Sequence, residues 1–125
     1  MKKYLVDTSV IIDFLRQKEK QKTLFYKLAQ DDLFVSIITH TELYAGKSVW
    51  KNPLAKLELK ELFSGLTILN LEPGISENAV RIKACHHNSS LLDCIIAATA
   101  IYHDLELVTL NKKDFEKIEG VKLSS

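Results

Sequence analysis

The chain has 125 residues, 46% of them apolar, which suits one domain (1–125) with a sizeable core. Seventeen basic and 16 acidic side chains leave a net charge of +1, so no overall basic field announces nucleic-acid binding and any such contact has to use local patches. Cys85 and Cys94 form no C-x-x-C pair, Asp7 and Asp13 break the apolar N-terminus too early for a signal peptide, and no apolar run can cross a bilayer, so the sequence reads as a soluble cytoplasmic protein.

Residues 3–7 read as a first strand, ended by Asp7. Residues 9–16 are predicted helical, with Val10, Ile11, Phe14 and Leu15 on one face. A second helix is expected over 20–31, with Leu24, Phe25 and Leu28 inward, then a strand at LFVSI (33–37). THTELYAGK (39–47) reads as a helix ending near Gly46. Pro53 and Pro73 stand near the starts of helices at 53–64 and 75–87, with the strand LTILNL (66–71) between them. LLDCIIAATAIYH (91–103) is a helix that is apolar nearly all round. ELVTL (106–110) is a fourth strand, 114–119 a short helix, and VKL (121–123) a last strand. Strands alternating with helices favour a parallel sheet with helices on both faces. Ligands bind such sheets beyond the carboxyl ends of the strands. Strand four is expected beside strand one.

Four carboxylates fall at that edge. Asp7 ends the first strand, where it can also cap the next helix, although Thr8 and Ser9 could do that too. Glu42 is the one charge between Asp32 and Lys47. Asp93 is the one formally charged residue between Lys83 and Asp104, and it opens an apolar helix. A buried carboxylate is costly without compensation, from helix amides or a cation. Asp114 follows strand four and can cap the short helix after it. Two carboxylates about 5 Å apart repel by roughly 3 kcal/mol at an effective dielectric near 20. Divalent cations remove that conflict, and an all-oxygen donor set suits Mg²⁺ or Mn²⁺. Such a centre is suited to phosphodiester hydrolysis.

LVDTSVIIDFL, THTELYAG and LLDCIIAATAIYHDLELVTLNKKDFEKI together resemble the three motifs of the PIN-domain ribonucleases, most closely the VapC-type toxins of toxin–antitoxin pairs. The resemblance runs from about residue 3 to residue 123. It implies a three-layer α/β/α PIN-like fold with a five-stranded parallel sheet. It implies an endoribonuclease dependent on Mg²⁺ or Mn²⁺, with Asp7, Glu42, Asp93 and Asp114 as catalytic and metal-binding residues. It also implies a homodimer held inactive by a VapB-type antitoxin. Asn111 stands where some members carry another acid.

On this reading Asp7 and Asp93 are the most direct ligands of one ion, Glu42 acts through water or positions the nucleophile, and Asp114 completes the centre. Thr8 and Ser9 are expected to bond the attacking water or a phosphate, with Thr109 and Asn111 supporting the ligands. RNA contact falls to Lys112 and Lys113, or to a ridge of Lys47, Lys51, Lys56 and Lys60, each of which is equally a solvated helix residue. The helices around 10–28 offer a groove for an antitoxin segment or ordinary core. Cys85, His86, His87 and Cys94 match no common zinc module. His40 is expected to be structural. A non-catalytic PIN-like binding module is one alternative. A Mg²⁺-binding phosphoacceptor signalling domain is another, but it needs an Asp at the end of strand three, where Asn70 stands.

Overall fold

The computed structural model describes residues 1–124, and for Lys47 and Ser48 the backbone alone. Strand β1 (Lys3–Val6) divides its side chains between two cores, as the pleat requires. Tyr4 and Val6 join one apolar cluster and Leu5 the other. Helix α1 (Thr8–Arg16) follows at once and buries Val10 and Ile11. A 3₁₀ turn (Lys20–Lys22) and the short helix α2 (Leu24–Leu28) come next. They replace the continuous helix expected over 20–31. Thr23 is the reason: its side chain accepts the Tyr26 amide and starts a new helix, so the earlier turn cannot run through.

Strand β2 (Asp32–Ser36) leads straight into α3 (Ile37–Tyr44), with Ser36 as the cap that accepts the Ile38 amide. Helix α4 (Lys47–Lys51) lies in a stretch with no clear apolar period and was not foreseen. Asn52 caps α5 (Pro53–Ser64), whose Pro53 sits in the first turn, where its missing N–H costs nothing. Strand β3 (Thr67–Leu69), α6 (Pro73–Cys85), α7 (Leu91–Tyr102), β4 (Glu106–Val108), α8 (Lys112–Phe115) and β5 (Lys122–Leu123) complete the order. Helix α8 starts two residues before the expected helix at 114 and ends sooner, so Asp114 lies inside its first turn.

All strand pairs are parallel, in the order β3-β2-β1-β4-β5. Strand β4 lies beside β1, with Leu5 opposite Leu107 and Val6 opposite Val108. Leu107 faces the core under α6 and α7, and Val108 the core under α1, α2 and α5. Residues Cys94 to Ala100 of α7 are all buried, which explains why that helix is apolar all round. Helix α3 bridges the two cores: Ile38 packs on one and Leu43 on the other. The order reverses direction between β1 and β4, so a crevice opens beyond their carboxyl ends. Among the described residues no helix is long and apolar enough to cross a membrane.

Candidate metal centre at the carboxyl edge of the sheet

Asp7 ends β1 and is 5% exposed. Its backbone amide donates to the Val108 carbonyl at 2.9 Å, which ties it to β4. Its side chain makes no capping bond to α1, so the capping reading of Asp7 is overturned. Instead Oδ2 accepts from the hydroxyls of Ser9 and Thr109, each at 2.8 Å. Those hydroxyls are aimed by backbone donors: the Leu110 amide bonds Ser9 Oγ, and the Asn111 amide bonds Thr109 Oγ1. Two hydroxyls thus orient one carboxylate oxygen. The other oxygen has no hydrogen bond, yet no buried side-chain polar atom among the described residues lacks a partner. Oδ1 therefore keeps some exposure to solvent.

Glu42, on α3, is exposed and accepts from the Thr8 hydroxyl at 2.9 Å. Thr8 Oγ1 also lies 3.0 Å from Oγ1 of Thr39, which is fully buried. Thr8 thus orients an acid across 34 residues of sequence. Thr39 was missed by the sequence reading. The signal was present: Thr39 and Glu42 are three apart on one helix and share a face.

Asp93 stands in the first turn of α7, and its amide donates to Ser90 Oγ at 3.0 Å. Ser-x-x-Asp ahead of an apolar run is a capping pattern, so Ser90 too was open to sequence reading. Burial pushes the Asp93 carboxyl above its ordinary value, and repulsion from Asp7, Asp114 and Glu42 pushes it further. The Ser90 hydroxyl pulls the other way, less strongly than burial and Asp7 push. Asp114 is exposed on α8 and does not cap it. Asn111 occupies the cap position of α8 with its side chain unbonded. The fold thus brings Asp7, Glu42, Asp93 and Asp114 within electrostatic reach of one another, with Thr8, Ser9 and Thr109 as their hydrogen-bond partners.

The described ion pairs are Lys20–Glu58, Lys22–Glu19 and Lys122–Asp104, and none involves these four acids. Among the described residues, no three His, Cys, Asp or Glu side chains are already arranged to hold an ion. Glu42 is held by the Thr8 hydroxyl. The oxygen-only donor set suits a hard divalent cation. His40, by contrast, packs on the Tyr44 and Phe63 rings at 4.6 and 4.7 Å, a structural place. Cys94 is buried in α7 and Cys85 exposed.

Fold and site together define a three-layer α/β/α protein with an acidic centre at the switch point of a parallel sheet. The PIN domain family profile matches residues 4–121. Ribonuclease VapC1 of Rickettsia felis is 35% identical, over 95% of this chain and 92% of its own. Ribonuclease VapC2 of Haemophilus influenzae is 31% identical, over 98% and 96%. A toxin–antitoxin complex from Klebsiella pneumoniae contains a chain that superposes with a TM-score of 0.76 at 32% identity, over 94% of both chains. The chain belongs to the PIN-domain family, among its VapC-type members.

Proposed function

We infer that this protein is an endoribonuclease, the toxin of a toxin–antitoxin pair, and that Asp7, Glu42, Asp93 and Asp114 form its metal-dependent reaction centre. One observation carries the assignment of the centre. Asp93 sits half-buried at a helix start, repelled by three other acids, and none of the four is in an ion pair among the described residues. A fold keeps such a cluster at a cost in stability, and a cation-dependent reaction explains why it is kept.

Asp7 Oδ1, Asp93 and Asp114 would hold the ion, Mg²⁺ or Mn²⁺, with Glu42 beside them. A bound divalent cation polarises a phosphoryl oxygen and lowers the pKa of water. The chain's own residues supply the orientation. Ser9 and Thr109 hold one oxygen of Asp7, and Thr8 holds Glu42. Lys112 and Lys113 stand next to Asp114 and supply positive charge for the RNA backbone. Of the proposed lysine ridge, Lys51 and Lys60 are exposed, Lys56 stacks 5.1 Å from the Trp50 ring, and the side chain of Lys47 lies outside the described residues. The lysines beside the acids therefore suit substrate contact better.

A cytoplasmic location, a homodimer and a VapB-type antitoxin partner follow from the same reading, by similarity to the VapC relatives and the Klebsiella complex. The phosphoacceptor alternative fails at β3, which ends at Leu69 and is followed by Asn70 rather than an acid. The test is cleavage of single-stranded RNA by the purified protein with Mg²⁺ or Mn²⁺, with chelator, and as the Asp93→Asn variant. Cleavage is expected only in the first arm. The several kcal/mol that a cation contributes translate into a loss of about a thousandfold in the others. Undiminished cleavage in chelator would refute the assignment.

A further inference from the structure

A polar cleft of about 650 Å³ opens beside Asp93. One wall is the turn His86–Ser89, between α6 and α7; the other carries Lys113 and Lys117. A second depression, lined by Thr109, Leu110, Asn111 and Lys112, shares Lys113 and Asp114 with the first. The two meet at Lys113 and Asp114, so an extended strand passing Asp114 has a place to lie on each side of it.

The turn is held more firmly than a surface loop needs. The Ser89 amide donates to the His86 carbonyl at 3.0 Å. Lys83, half-buried on α6, donates to the carbonyls of His87 and Ser89 at 2.7 and 2.6 Å. Its ammonium faces backbone rather than a carboxylate. Ser90, the next residue, caps α7. The backbone is pinned from both helices, while the side chains of His87 and Asn88 stand exposed at the corner with no hydrogen bond of their own. An imidazole can stack on a base and bond its edge, and a carboxamide presents a paired donor and acceptor. Single-stranded RNA is read in this way, by splayed bases on rigid side chains. Two lysines on the facing wall suit its phosphates.

We propose that the His86–Ser89 turn is the sequence-reading element of the nuclease. A nucleotide next to the scissile phosphate lies in this cleft, its base against His87 and Asn88 and its backbone on Lys113 and Lys117. Lys83 is a positioning residue that holds the turn. The inference rests on the nuclease reading above and names how that site selects its RNA.

The test uses a random-sequence single-stranded RNA pool, with cleavage positions read from the product ends. His87→Ala and Asn88→Asp should each redistribute those positions, lowering kcat/KM at the preferred site about tenfold and leaving disfavoured sites unchanged. Asn88→Asp keeps a good turn residue, so a shift in preference there is not a folding effect. Lys83→Met should broaden the positions cut. In the Asp7→Asn background, which leaves RNA intact, binding of a fluorescein-labelled strand is followed against salt. The Lys113→Ala, Lys117→Ala pair should lower the log–log salt slope by about 1.4, the share of two phosphates, whereas Lys83→Met should leave it unchanged. If every variant cuts where the parent protein cuts and the slope holds, the turn does not read RNA and the nuclease assignment stands. If the parent protein cuts no RNA at all, both fall together.

Discussion

Asp7 shows how one side chain serves two requirements at once. One oxygen accepts two hydroxyls that backbone amides hold in place, and the other has no hydrogen bond and keeps some exposure to solvent. Asp7→Asn keeps an acceptor for Ser9 and Thr109 and removes only the charge. Asp7→Ala leaves both hydroxyls without that acceptor, at a cost of roughly 1–3 kcal/mol. Both variants should lose RNA cleavage, but denaturant midpoints should separate them, with the alanine variant clearly less stable. Equal midpoints would mean that the hydroxyl pair does not anchor Asp7. Asp93 gives a pH-dependent counterpart. Its carboxyl is raised by burial first and by the Asp7 charge second, so the folded chain binds that proton more tightly than the unfolded chain. The stabilising contribution of protonated Asp93 is full below its ordinary value of 3.8 and is lost as pH rises through the raised value. In chelator at neutral pH the charge therefore opposes folding. Asp93→Asn should melt higher than the parent protein there, and the difference should shrink as pH falls towards 4. A lower melting point for the variant at neutral pH in chelator would contradict the cluster.

At the scale of elements, what could be read in advance divides by the type of signal. Helix α5 begins at Pro53 and ends at Ser64, as expected, because an Asn-Pro start and a Gly65 stop bracket it chemically. Helix α7 was recognisable from its unbroken apolar run, and the strands from short β-branched stretches. The break at Thr23 was hidden, because a threonine inside an apolar period looks like an ordinary surface residue until its hydroxyl is seen to cap. Glu42 and Asp93 were visible as isolated charges in apolar surroundings, Asp7 as the end of an apolar strand, and Asp114 only from its place after strand four. Of their hydrogen-bond partners, Ser90 carries a capping pattern, whereas the Thr8–Thr39 contact joins segments distant in sequence and shows only in the fold. The pleat of β1 predicts a sharp asymmetry in stability. Leu5 is fully buried under α6 and α7, and Leu54 on α5 is 75% exposed. Leu5→Ala should cost about 2–5 kcal/mol by transfer and cavity terms together, and Leu54→Ala no more than about 0.5. Urea unfolding of the two variants checks this, and a similar loss for both would show that β1 is not the shared wall of the two cores.

For the whole molecule, the four acids come from four separate segments: the end of β1, α3, the start of α7 and α8. A net charge of +1 means that basic residues balance these acids over the whole chain, although none is in an ion pair with them among the described residues. Repulsion among the acids pushes apart elements that the two cores hold together. On the proposed reading, a cation bound between them would reverse the sign of that contribution and link sequence positions 7, 42, 93 and 114. Because the unfolded chain cannot gather those acids, such binding would belong to the folded state and stabilise it by mass action. At a free cation concentration one hundred times the dissociation constant, the gain is about 2.7 kcal/mol. In a domain of this size that corresponds to a rise in melting temperature of roughly 10 °C. Thermal unfolding with increasing Mg²⁺ or Mn²⁺ measures it without reference to activity. The shift should follow a saturable curve in the parent protein and shrink strongly in Asp7→Asn and Asp93→Asn, which remove the most enclosed donors. Chelator should return the parent protein to its starting curve. Equal shifts in all three proteins would place the cation somewhere other than these acids, because a general effect of ionic strength acts on every variant alike.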